Sequence, residues 1–99
     1  MPVRAGQVML DSTPRMPTTS VDIYKDGQTA DPKYKVIAEL SFLGPREEEL
    51  RAEKRFIGQT EKMGGNGILF DVAPAGEKGG GLGGISTAWV FRGKVIVYQ

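Results

Sequence analysis

The sequence contains no cysteine and no histidine. Without thiols there is no disulfide framework and no thiolate nucleophile. Without imidazole there is no zinc-finger ligand set, no histidine-based triad and no imidazole general base. An excess of one charge is also missing: 13 Lys and Arg against 12 Asp and Glu leave +1 at pH 7, so no net field draws in nucleic acid or an anionic membrane. No apolar run approaches the ~20 residues of a membrane span. The start, Met1-Pro2-Val3-Arg4, lacks the apolar core of a signal peptide, so any signal or lipid anchor would be an N-terminal segment not seen here.

What remains is a chain of 99 residues, 39% apolar and 25% charged, long enough for one domain with one core. Residues 1–19, with Pro2, Pro14 and Pro17 in a polar setting, read as an irregular N-terminal arm, because proline removes a backbone donor and restricts its predecessor. Gln7–Leu10 is the one short strand candidate in it. Residues 20–99 read as a single α+β domain. Val21–Tyr24 alternates at period two, and Tyr34–Leu43 is the strongest strand. Tyr34, Val36, Ala38, Leu40 and Phe42 share its expected core face, and Lys35, Ile37, Glu39, Ser41 and Leu43 its mixed face.

Gly44-Pro45 marks a change of period. Proline suits the first helical position and Glu47–Glu49 suit the first turn, where the helix dipole favours negative charge. Leu50, Ala52, Phe56, Ile57, Thr60 and Met63 gather on one face, and Gly64 is a left-handed stop. The helix is therefore expected over 45–63. Glu53 intrudes on the apolar face and calls for a lysine or arginine partner at the sheet edge. Gly67–Ala73 returns to a strand pattern, ended by Pro74. A glycine-rich loop follows, and 85–91 and 95–98 read as strands of a C-terminal hairpin turning at Arg92-Gly93-Lys94. The sum is a two-layer α+β fold: one helix on a mixed sheet of about four to five strands, containing a βαβ unit over 34–73.

Tyr34-Lys35-Val36-Ile37-Ala38-Glu39-Leu40, a charged helix, then Met63-Gly64-Gly65-Asn66-Gly67-Ile68-Leu69 resembles the core of the YbjQ/RcsF-like bacterial domains. Those carry a strand of the type Y-x-V-I-G-x-V, a helix, and a turn of the type G-A-N-A-[VI]. The resemblance covers about residues 34–72. Ala38 stands where the pattern has glycine, Gly65 where it has alanine, and the cysteines of the disulfide-bearing members have no counterparts. What it implies is a small α+β domain of bacterial envelope proteins, lipoproteins among them, without established enzymatic chemistry. Some such domains carry a heavy-metal-binding label, but with no Cys or His no residue here inherits a soft-metal role.

Candidate chemistry is sparse. Gly79-Gly80-Gly81-Leu82-Gly83-Gly84 matches G-x-G-x-x-G, yet residues 74–78 separate it from a strand and a β-like segment follows it, where a dinucleotide fingerprint needs a helix. Asp71 with Gly79, Gly81 and Gly84 is the candidate ligand loop, for a phosphate or other small ligand over 76–84. Glu39 and Asp71 are a candidate carboxylate pair, if their strands are adjacent. The helix cations are interleaved with glutamates, which cancels the field a nucleic acid needs. The remaining feature is an apolar reverse face of the sheet, expected from Ile37, Leu43, Leu69, Val90, Val95 and Val97 and covered either by self-association or by the arm. The sequence therefore points to a non-catalytic domain that works through protein contacts or self-association, using that face, the arm and a free sheet edge, without cofactor, metal or nucleic acid. The expected location is the periplasm or cell envelope, with the cytoplasm as the alternative.

Overall fold

The structure is a computed structural model and describes residues 4–25, 28, 30, 33–74 and 88–99. Its elements in order are β1 (Arg4–Met9), β2 (Asp22–Lys25), β3 (Tyr34–Gly44), a 3-10 turn (Arg46–Glu48), α1 (Glu49–Met63), β4 (Gly67–Pro74) and β5 (Trp89–Tyr98). The strands form one sheet in the order β1-β3-β5-β4-β2. β5 is antiparallel to both β3 and β4, β1 is antiparallel to β3, and β2 is parallel to β4. β3 and β4 are thus parallel to each other with β5 between them, so the βαβ unit is split by the final strand. The fold is α+β, one helix on a mixed five-stranded sheet, and β4 and β5 form the C-terminal hairpin.

That hairpin does not turn at Arg92-Gly93-Lys94. β5 runs unbroken through Gly93, which pairs with Leu40 of β3 and Phe70 of β4. The glycine answers a packing demand instead: a Cβ there would sit 2.9 Å from Phe56 Cδ2 and 3.1 Å from Ile68 Cγ2. The helix rests a fully buried aromatic ring on bare backbone at the centre of the sheet. Around that point the four phenylalanines form a chain, Phe56 edge-on to Phe70 at 5.9 Å, Phe70 to Phe91 at 6.5 Å, and Phe91 to Phe42 at 5.9 Å between ring centroids. Aromatic contacts in this range add to the stabilisation from burial alone.

β3 departs from simple alternation. Its register with β5 shifts between Val36 and Ala38, so Ile37 is the extra residue of a bulge. A bulge places two consecutive side chains on one side, and Ile37 and Ala38 both join the core under α1. Tyr34 and Val36 are consequently on the reverse face, not on the face shared by Ala38, Leu40 and Phe42. Val36 aligns there with Ile96 and Gly67.

The helix stops where the sequence leads one to expect, at Met63, but α1 begins at Glu49 and not at Pro45. Pro45 is extended and precedes the 3-10 turn, and Gly64 closes α1 in the left-handed region at φ 77°. Ala52, Phe56 and Thr60 are its buried face, with Ile57 and Met63 packed beside them. Leu50 is the exception, 63% exposed near the start of the helix. Glu53 meets Lys25 on edge strand β2 at 2.6 Å, the partner its position called for. Part of the expected irregular arm is regular: Arg4–Met9 is an edge strand. Residues 10–21 then cross the end of α1 to reach β2 at the opposite edge, held by Thr18, whose N–H donates to Glu61 O at 3.0 Å and whose hydroxyl donates to Gly65 O at 2.7 Å.

The Thr60 hydroxyl is buried without a hydrogen-bond partner among the described residues. An unpaired buried hydroxyl costs about 1–3 kcal/mol, and valine has nearly the same shape. Thr60→Val is therefore expected to raise stability by about 1 kcal/mol in urea unfolding; a loss of that size would show that the hydroxyl is satisfied.

Candidate functional site

The reverse face does not present a continuous apolar surface. Of the six residues expected on it, Ile37 and Val95 lie in the core beneath α1, and Val97 packs against that core. The bulge moves Ile37, and the uninterrupted course of β5 puts Val95 and Val97 on the helix side with Phe91. Leu43, Leu69 and Val90 remain on the reverse face, half-buried. Leu43 and Val90 are paired neighbours at one end, and Leu69 stands apart beside Lys94. Between them the face is charged: Glu39 is opposite Lys94, and Arg92 is opposite Asp71, all four exposed. Val8 belongs to the same row as Glu39, on the outermost strand.

The carboxylate pair is not assembled. β5 separates Glu39 on β3 from Asp71 on β4, and each acid has a β5 cation as its cross-strand neighbour. In the candidate ligand loop, Gly79, Gly81 and Gly84 lie outside the described residues, while Asp71 is an exposed strand residue. Among the described residues there is no group of three or more Asp or Glu able to hold a metal ion, and no helix long and apolar enough to cross a membrane.

Two polar clusters tie the ends of the sheet together. On the reverse face Tyr98 Oη donates to Asp22 Oδ2 at 2.6 Å, which leaves Tyr24 Oη as donor to Tyr98 Oη at 2.7 Å. Desolvation, then the Asp22 carboxylate and the Tyr24 hydroxyl, push the Tyr98 phenol above its ordinary range. Near the start of β3, Asp11 accepts from Lys35 Nζ, from the Thr13 N–H and hydroxyl at 3.0 and 2.6 Å, and from Arg15 Nη2 at 3.3 Å. Lys35 first, then Thr13, hold the Asp11 carboxyl well below the usual carboxylate range.

A depressed folded-state pKa contributes stability above the unfolded value near 4, and that contribution is lost as pH falls through the folded value. Asp11→Asn is accordingly expected to lower the thermal midpoint at pH 7 and to make no difference at the acid end of the range. A side-chain carbon shift for Asp11 that titrates at the ordinary carboxylate pH would contradict this.

The residues left out of the expected interaction face lie along β1, which contains Gln7–Met9 of the short strand candidate Gln7–Leu10. Among the described residues no strand pairs with its outer edge, and its end exposes Val8 and Leu10 at 55% each and Met9 at 40%. Met16, in the crossing segment, is 84% exposed. Facing β1 across a groove is one flank of α1. The helix packs on β4 and β5, so the side of β1 and β3 beside it stays open as a cleft of about 560 Å³, lined by Ala5, Phe42, Arg51, Lys54 and Arg55. The two flanks of α1 carry opposite charge. Gln59 meets Gln7 of β1 at 3.3 Å and Glu53 meets Lys25 of β2 at 2.6 Å, which fixes the orientation. At about 100° per residue, Arg51, Arg55 and Lys62 fall on the β1 side with Gln59, and Glu61 falls toward the β2 side with Glu53; Lys54 starts from the outward face beside Glu61, and its side chain lines the cleft. Interleaved in sequence, these charges separate in space. Arg51 is held by Glu48 at 3.1 Å; among the described residues no carboxylate pairs with Lys54 or Arg55.

No family model matches this sequence, and no curated protein matches it. Among solved structures, the fold is similar to that of FvfA, a Francisella virulence factor seen in an orthorhombic crystal form. The TM-score is 0.68 over 95% of this chain and 97% of that one, at 14% sequence identity. The likeness extends over nearly the whole of both chains, and at that identity what the two proteins share is the fold.

Proposed function

We propose that this chain is a non-catalytic domain of a bacterial cell-envelope protein or lipoprotein, acting through protein contacts made by the β1 edge and the segment that follows it. The observation that carries the reading is the exposure of Val8 on a strand whose outer edge is unpaired among the described residues, and of Leu10 and Met16 in the segment that follows it. An unpaired edge offers a row of backbone donors and acceptors, and apolar side chains beside it favour a second chain over water. The absence of His and Cys from the sequence supports a role without imidazole or thiol chemistry. The envelope assignment rests on the resemblance to the YbjQ/RcsF-like domains.

The test is crosslinking in producing cells, comparing the native chain with Val8→Lys/Leu10→Lys. Both positions are exposed, so the double variant is expected to melt within a few degrees of the native protein. A discrete crosslinked species that the native chain gives and the variant loses is expected. A clean monomer with no adduct, or an adduct the variant retains, would overturn the reading. Fractionation of the full gene product tests location: recovery with the periplasm or membranes is expected, and recovery in the cytoplasm alone contradicts it.

A further inference from the structure

We infer that the groove between α1 and β1 receives an acidic, extended polypeptide segment, which adds to the sheet as a strand along β1 with its carboxylates turned toward Arg51, Lys54 and Arg55. The inference rests on the reading of β1 as the contact edge and specifies the chemistry of the partner. Strand addition supplies the backbone ladder, and alternate side chains supply specificity. A strand beside β1 turns every second side chain to the helix side of the sheet, beside the cleft that those three cations line with Ala5 and Phe42.

Charge chooses among the occupants. A basic segment would meet like charge along the whole flank. A second copy, pairing β1 with β1 antiparallel to continue the sheet, would place both helices on the same face with their basic flanks turned toward each other. An acidic segment instead pairs with Lys54 and Arg55, for which no described carboxylate does so. Gln7 and Gln59 close the groove at the far end with amides that accept as well as donate.

The probe is a peptide of alternating valine and glutamate, about eight residues long, which spans β1 at ~3.4 Å per residue. Its controls are the valine–lysine counterpart, a version N-methylated at alternate residues, and tripolyphosphate. Binding is read from amide shifts of the folded protein at about 50 mM and about 300 mM salt. Expected are shifts confined to 5–10 and 51–59, affinity that falls several-fold with salt, and a loss of about tenfold or more in Arg51→Glu/Arg55→Glu. N-methylation is expected to abolish binding on the edge that needs the ladder, and the lysine peptide is expected not to bind.

Equal binding of the N-methylated peptide, shifts elsewhere, or tripolyphosphate alone occupying the groove would overturn the inference. Both exchanged arginines are exposed, and Lys54→Glu provides a second variant should the double one unfold. If Val8-dependent crosslinks form in cells while no acidic peptide binds, the contact edge stands and only the acidic partner is lost.

Discussion

Phe56→Ala is expected to cost about 3–5 kcal/mol, lowering the thermal midpoint by roughly 15–30 °C at this chain length. Phe56 is fully buried and edge-on to Phe70, with the Gly93 backbone beneath it. Deleting the ring removes its transfer free energy and leaves a cavity whose floor is main chain, which cannot collapse to fill it. Since domains of this size are stable by only about 5–15 kcal/mol, one substitution removes a large part of the total. Urea unfolding checks it. A loss below about 1 kcal/mol would mean that α1 is not seated on the sheet through this ring.

Gly93→Val approaches the same contact from the other side and is expected to cost about 2–3 kcal/mol. Valine at the centre of a strand gains up to about 1 kcal/mol in β-propensity, but its first side-chain carbon would already lie 2.9 Å from Phe56 and 3.1 Å from Ile68. Both neighbours are themselves buried, so neither can swing away, and the overlap outweighs the propensity. The two substitutions share one contact and are expected to be non-additive: Gly93→Val costs less in a Phe56→Ala background, because the valine fills part of the hole. Strict additivity would place Gly93 away from the helix.

The helix was legible because its signals agree: Pro45 and the glutamates at the start, the Ala52-Phe56-Thr60 stripe, and Gly64 at the stop. Glu53 was legible as well, because an acid on an apolar face needs a cation within reach. Arg92-Gly93-Lys94 misleads because glycine between two charged residues has the composition of a turn. Only the ring lying over it shows that its missing side chain is a packing requirement. The bulge at Ile37 leaves no composition signal either, and one inserted residue reverses which face Tyr34 and Val36 occupy. That single shift, together with the straight course of β5, takes Ile37, Val95 and Val97 off the reverse face.

β1 was obscured for a different reason. Prolines flank it, and an edge strand with exposed valine and methionine lacks the buried alternation by which strands are recognised. The basic groove, by contrast, was within reach of angular arithmetic. Placing Glu53 toward a sheet-edge cation leaves Arg51, Arg55 and Lys62 to the other flank. Counting charges along the chain, without assigning flanks, makes them cancel.

A light-activated crosslinker placed at one residue at a time, in the full gene product in living cells, tests the β1 edge as the contact surface most directly. Adducts are expected from Val8 and Leu10, and none from Asp71, Val90 or Arg92 on the inner strands β4 and β5. Adducts that form from Asp71, Val90 or Arg92 and not from Val8 and Leu10 would contradict the account and move the contact surface from the β1 edge to the middle of the reverse face.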